Sequence, residues 1–69
     1  MKDINYDLVK LLHQTLDIVW QLENHYIKDA EEVKCHSVDT LKKILEDEKK
    51  HAQMITEEIK LRSQAKIFD

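Results

Sequence analysis

The residues best suited to chemistry are Glu48 and His51, which form a Glu-x-x-His motif. Both fall within a helical apolar pattern, and residues three apart lie on the same helix face, one turn apart. A second glutamate, Glu23, falls within the apolar pattern that precedes this one. A carboxylate that leaves water costs several kcal/mol unless a cation or hydrogen-bond donors compensate its charge. Glutamates in the middle of two such patterns therefore indicate a metal site built from carboxylate and imidazole.

The predicted positions of Glu23 and Glu48 support this interpretation. On a helical wheel of about 100° per residue, both glutamates are central among apolar neighbours. These neighbours are Leu12, Leu16, Val19 and Ala30 around Glu23, and Leu41, Ile44, Ala52, Ile55 and Ile59 around Glu48. The two glutamates are also separated from His36 by nearly equal numbers of residues. In two antiparallel helices that meet near His36, their side chains should lie at the same level.

Carboxylate together with imidazole suits iron, with manganese or zinc as alternatives. Tyr26 and Asp47 are candidates to support the ligands, Tyr26 by bonding a carboxylate and Asp47 by orienting His51. Each also has a metal-free interpretation, as a core aromatic and a solvated carboxylate respectively. Glu23 and Glu48 can likewise lie at a hydrated bundle end or pair with lysines of a neighbouring chain.

The elements that must position these residues are two helices. The apolar spacing predicts a first helix over about 6–33 and a second over about 38–65, with a short polar turn at 34–37. Asp3 or Asn5 is expected to cap the first helix, and Ser37 the second. So short a turn makes the helices antiparallel neighbours. The fold class is therefore all-α, with residues 1–69 forming a single helical hairpin domain.

Composition narrows the class of protein. The absence of glycine and proline, with 42% hydrophobic and 36% charged residues, favours long helices. The net charge of −3 argues against nucleic acid as a partner. No apolar run is long enough for a membrane span, and no secretory signal opens the chain. The single cysteine suits a reducing compartment. We expect a cytoplasmic location, with enclosure in a protein nanocompartment as an alternative.

A helical hairpin of 69 residues is too small to enclose a core by itself. Apolar residues also occur away from the main pattern, at Leu11, Ile18, Leu22, Met54 and Leu61. We therefore expect at least a homodimer, in which two hairpins form a four-helix bundle. The same residues could also support association of dimers into a larger assembly, and the sequence does not decide this.

Residues 46–52, Glu-Asp-Glu-Lys-Lys-His-Ala, resemble the Asp-Glu-x-x-His-Ala stretch of the ferritin-like superfamily. The half-length design, with one glutamate followed by one Glu-x-x-His, is most similar to the encapsulated ferritins and more distantly to the rubrerythrins. Met54 and the Glu58-Ile59 pair add to the similarity. The spacing from Glu23 to Glu48 is shorter than in that family, and no segment resembling an encapsulin-targeting peptide follows the second helix.

The resemblance implies a di-iron ferroxidase centre between two chains, with Glu23, Glu48 and His51 as catalytic iron ligands. It also implies a ring-like homo-oligomer, with an encapsulin-type shell as a further partner. The expected function is oxidation of Fe(II) to Fe(III) by O2, for iron detoxification or storage. Alternatives are a metal-free dimerisation or adaptor module and a rubrerythrin-like peroxide reductase. A single cysteine cannot build the cysteine-rich relay of rubrerythrins.

Overall fold

The chain folds into two antiparallel helical arms. The structure, a computed structural model, describes residues 3–66. The first arm consists of α1 (Ile4–Gln21), a π-helical turn (Leu22–Tyr26) and α2 (Ile27–Glu32), which follow one another without a break, and the second arm is α3 (Val38–Gln64). The prediction of an all-α fold with two helices is confirmed, and the predicted limits agree to within two residues. Residues 1–2 and 67–69, the ends of the predicted single domain, lie outside the described part of the chain.

The first arm begins at a side-chain cap. Asp3 accepts a hydrogen bond at its Oδ1 from the backbone N–H of Tyr6, 3.1 Å away. This bond satisfies one of the free N–H groups at the start of α1, so Asp3 rather than Asn5 is the cap. Asn5 instead accepts a 2.8 Å hydrogen bond at Oδ1 from Nε of Arg62. That bond links the start of α1 to the last turns of α3 and fixes the antiparallel pairing at the open end of the hairpin.

The π-helical turn is a feature that the sequence pattern did not predict. The backbone N–H of Ile27 donates to the carbonyl of Leu22, five residues earlier, where an α-helix would use four. The wider turn lets Leu22 and Ile27 both enter the core, where they are 3% and 8% exposed. The side-chain amide of Asn24 donates to the carbonyl of Trp20 at 2.9 Å and so ties the turn to the end of α1. The turn therefore resets which residues of the first arm face α3.

The connection between the arms is closed by a lysine in the left-handed region. The N–H of Cys35 donates to the carbonyl of Ala30 at 2.8 Å, and the N–H of Lys34 to that of Glu31 at 3.1 Å. This pair of bonds is the Schellman motif, which usually has glycine at the position of Lys34. Lys34 has φ of 54°. Ser37 precedes α3 as predicted, but its side chain makes no capping hydrogen bond.

The core is small and each arm keeps an uncovered side. The buried residues are Thr15, Leu22, Ile27, Ala30, Ala52 and Ile55. The hairpin measures 49 × 19 × 15 Å, which is one helix thick in its narrowest direction. Several residues predicted to lie in the core are exposed in the single chain, namely Leu16, Tyr26 and Ile44. Leu22, predicted to lie off the main pattern, is the most buried apolar residue of the described chain, because it lies seven residues after the buried Thr15 and shares its face of the helix.

Candidate metal site

Glu48 and His51 lie side by side on α3, as their spacing predicts. Oε1 of Glu48 is 3.4 Å from Nδ1 of His51. The Glu48 side chain is 21% exposed and the His51 side chain is 56% exposed. The carboxylate is therefore held against the hairpin while the imidazole extends toward solvent. Both groups can reach one cation, because residues three apart on a regular helix project in nearly the same direction.

The pair lies at the edge of an apolar groove between α1 and α3. The groove has a volume of about 400 Å³ and is lined by Leu11, Gln14, Thr15 and Ile18 on α1 and by Glu48, His51, Met54 and Ile55 on α3. Its other lining side chains are neutral, so Glu48 and His51 carry the ionisable groups. An apolar groove with a few converging polar groups is the usual form of a binding site.

Glu23 takes a different position from the one that the helical wheel predicts. It lies on the π-helical turn and does not line the groove. Its Oε2 is 3.2 Å from Nζ of Lys49, and its side chain is 45% exposed. The prediction that Glu23 is central on the buried face is wrong for the single chain. Because Leu22 faces the core, the adjacent Glu23 projects to one side and lies at the rim of the contact between the arms.

The other prediction about Glu23, that it lies at the same height along the hairpin as Glu48, agrees with the structure. Lys49, the partner of Glu23, directly follows Glu48 in the sequence. The carboxylate of Glu23 therefore meets the same turn of α3 that carries Glu48. Lys49 is a residue of this region that the sequence reasoning missed. Two features of the sequence pointed to Lys49. It is adjacent to Glu48, and Glu23 was predicted to lie at the same height along the hairpin as Glu48.

Within residues 3–66, the two candidate supporting residues form no hydrogen bond or ion pair with Glu48 or His51. Tyr26 ends the π-helical turn and is half exposed. Asp47 forms an ion pair with Lys43, with its Oδ1 3.2 Å from Nζ. This is a surface pair of residues four apart on α3, which stabilises a helix by only about 0.3–0.5 kcal/mol. Their supporting roles stay predictions that depend on a second chain.

The single chain supplies an incomplete set of metal ligands. Across residues 3–66, no three His, Cys, Asp or Glu side chains form a group that could hold a metal ion. Glu48 and His51 provide one carboxylate and one imidazole, a donor set that suits iron, manganese or zinc. The donor chemistry therefore fits such an ion, but its remaining ligands must come from elsewhere.

Cys35 lies apart from this site, in the turn between the arms. Its Sγ accepts a hydrogen bond from the backbone N–H of Ser37 at 3.4 Å. The hydrogen bonds of Ser37, from its side chain and from its backbone, lower the pKa of the Cys35 thiol. Hydrogen bonds to the thiolate favour the charged form, which explains the direction of the change.

Comparisons of the chain with protein-family models, with curated proteins and with solved structures found no significant match. The resemblance to ferritin-like proteins therefore depends on residues 46–52 and on Glu23. None of the helices within residues 3–66 combines the length and the apolar character that a bilayer crossing requires.

Proposed function

We propose that two copies of this chain pair through the groove and form a carboxylate–histidine site that oxidises Fe(II) to Fe(III) with O2. The observation that carries the proposal is the contact between Glu48 and His51 at the edge of an apolar groove that one chain leaves open. A partly buried carboxylate beside an imidazole is costly to cover with another apolar surface unless a cation accompanies it. Closing the groove and binding a metal ion are therefore expected to support each other.

The apolar residues around the groove support the proposal that two chains pair through it. Leu11, Ile18 and Met54 line the groove and are 49%, 44% and 68% exposed in the single chain. Burying about 100 Å² of apolar surface stabilises an assembly by roughly 2.5 kcal/mol before the cost of association is counted. A twofold axis through the groove would give a four-helix bundle and bring Glu48 and His51 of both chains together.

Two chains bring enough ligands for two iron ions. Glu48 and His51 would supply one carboxylate and one imidazole from each chain, and Glu23, now paired with Lys49 at the same turn of α3, would supply a second carboxylate once released from that lysine. The total of four glutamates and two histidines is the donor set of di-iron carboxylate bundles. Iron held in such a site gives its electrons to O2, and carboxylates stabilise the Fe(III) product.

The residues of this chain have defined tasks in the proposed site. The Glu48 carboxylate, held against the hairpin, provides negative charge at a fixed position. Because Nδ1 of His51 faces Oε1 of Glu48 at 3.4 Å, this nitrogen and this carboxylate oxygen are the two atoms that a shared cation would bind. The exposure of His51 gives the site a route to solvent, by which Fe(II) enters and Fe(III) leaves.

A metal-free dimerisation module is the second candidate function. The observation that favours it is the ion pair between Glu23 and Lys49, which compensates the Glu23 carboxylate without any metal. In that case the groove serves only as a contact surface. Replacing Glu48 by an uncharged residue would then leave the assembly intact or make it more stable.

The proposal is tested by adding Fe(II) to the purified chain without oxygen, removing unbound iron and then admitting air. We expect about one iron per chain, with O2 consumption and ferric absorbance, because the site provides half of a two-ion centre per chain. His51→Ala should abolish both. His13→Ala is the matched control, since His13 is exposed and does not line the groove. A chain that folds and pairs identically in chelator and retains no iron would support the metal-free module.

A further inference from the structure

The carboxylate of Glu23 is held by a lysine in the metal-free chain. Oε2 of Glu23 and Nζ of Lys49 are 3.2 Å apart, and the pair joins the π-helical turn to α3. Both side chains are about half exposed, at 45% and 56%. Lys49 is also the residue next to Glu48. A positive charge therefore lies 3.2 Å from the Glu23 carboxylate, on the turn of α3 that also carries Glu48.

We propose that Lys49 is an internal counter-ion of Glu23 that a divalent cation displaces, so that Lys49 sets the metal affinity of the site. This inference rests on the proposed function, because it assigns Glu23 to the same metal site as Glu48 and His51. Without metal, Lys49 compensates the charge of the Glu23 carboxylate within the single chain. With metal present, the ion takes the place of the ammonium group at the carboxylate oxygens.

The chemistry of a half-exposed lysine suits this exchange. Lysine ends in a flexible four-carbon stem, so its ammonium group can move into water without any change in the backbone. An exposed ion pair contributes little to stability, so breaking it opposes metal binding only weakly. A cation of charge two is attracted to the carboxylate more strongly than one of charge one at the same distance. The pair therefore favours multivalent over monovalent cations.

Lys50 provides the matched comparison. It is the next residue on α3, it is exposed, and it forms no ion pair with any residue of the described chain. Replacing either lysine by glutamine changes the net charge by the same amount. A general electrostatic effect on metal binding would thus be nearly equal in the two variants. An effect specific to the counter-ion would occur in Lys49→Gln and not in Lys50→Gln.

The experiment is calorimetric titration of the full chain with Zn²⁺, which undergoes no redox reaction and so reports binding alone. Lys49→Gln is expected to raise the Zn²⁺ affinity about two- to fivefold, the range set by the strength of exposed ion pairs. Lys50→Gln should raise it much less. In a Glu23→Gln background the effect of Lys49→Gln should disappear, because the carboxylate that the lysine occupies is gone. Circular dichroism checks that each variant is folded.

The possible failures are distinguishable. If the wild-type chain binds Zn²⁺ and the two lysine variants bind it equally, Lys49 is not a displaced counter-ion, while the proposed function still stands. Persistence of the Lys49→Gln effect in the Glu23→Gln background would contradict the inference in the same way. If neither the wild-type chain nor any variant binds Zn²⁺, both the counter-ion and the proposed metal site are wrong.

Discussion

At the level of Lys49 the two arms of the hairpin differ in backbone and in surroundings. α3 runs as an unbroken α-helix through Glu48 and His51, and their spacing alone brings the two side chains to 3.4 Å. The first arm widens into the π-helical turn, and Glu23 meets Lys49 outside the groove. The regular arm shows that a short motif determines local geometry where the helix is uninterrupted. The irregular arm shows that burying nearby apolar residues decides where a carboxylate lies.

Among substitutions that compare the two arms, those of buried residues are expected to change the free energy of unfolding most. Leu22→Ala, in the π-helical turn, should lower the free energy of unfolding by about 2–4 kcal/mol, and Ile55→Ala in α3 by a similar amount. Both side chains are buried in the small core. Urea denaturation at fixed protein concentration measures the change. Lys28→Ala, at an exposed position of α2, is the control and should change it by less than about 0.5 kcal/mol. An equally small loss in Leu22→Ala would contradict the burial of this side chain in the core.

The next effect concerns the groove rather than the core. Met54→Lys should weaken the dimer at least about tenfold, because it places a charge in the contact that pairs two hairpins. The helices should remain, since Met54 is largely exposed in the single chain. Analytical ultracentrifugation measures the dissociation constant. Gln53→Lys introduces the same charge at the preceding, exposed position and serves as the control. Equal dimer strength in the two variants would show that the groove is not the contact surface.

A smaller effect is expected from removing one residue of the π-helical turn. Deleting Asn24 leaves Leu22 and Ile27 four residues apart, so a regular α-helix can bury both. Stability should then change by no more than about 1 kcal/mol, because the core contacts are kept. Deleting Gln53 from the regular α3 is the control. It rotates every later residue by about 100° and should destabilise the hairpin far more. Denaturation curves of the two deletions compare the arms directly, and equal losses would contradict the account of the turn.

The smallest effect is expected at the connection between the arms. Lys34→Gly should stabilise the chain by about 0.5–1 kcal/mol, because glycine adopts the left-handed conformation without the steric cost of a Cβ atom. Thermal or urea denaturation measures this gain. Lys34→Ala removes the same charge but keeps Cβ, and should give no such gain. A gain of equal size in both variants would show that the lysine charge, and not its φ of 54°, is unfavourable.

The sequence allows the regular parts of the molecule to be predicted and not the irregular ones. The ends of both arms, the turn between them and the contact of Glu48 with His51 follow from periodicity and polar spacing. The exposure of Leu11, Ile18, Met54 and Leu61 also agrees with their placement off the main apolar pattern. These features depend on one helix at a time, so local spacing is sufficient to predict them.

The position of Glu23 could not be predicted in this way. A helical wheel assumes a constant rotation per residue, and the π-helical turn breaks that assumption at Leu22. The signal present in the sequence was the spacing of Leu22 and Ile27, five residues apart and followed by Ala30. Recognising it requires knowing that both side chains pack against α3. Lys34 is a second example, since nothing in a chain without glycine marks its left-handed conformation.

The central claim is that Glu48 and His51 of two chains hold metal ions in the closed groove. The most direct test is a crystal structure of the chain grown with Zn²⁺, in which anomalous scattering locates the metal. The account predicts metal between two copies, bound by Glu48 and His51 of each. Paired hairpins with ordered, metal-free Glu48 and His51, or with Zn²⁺ bound only at other residues, would contradict it.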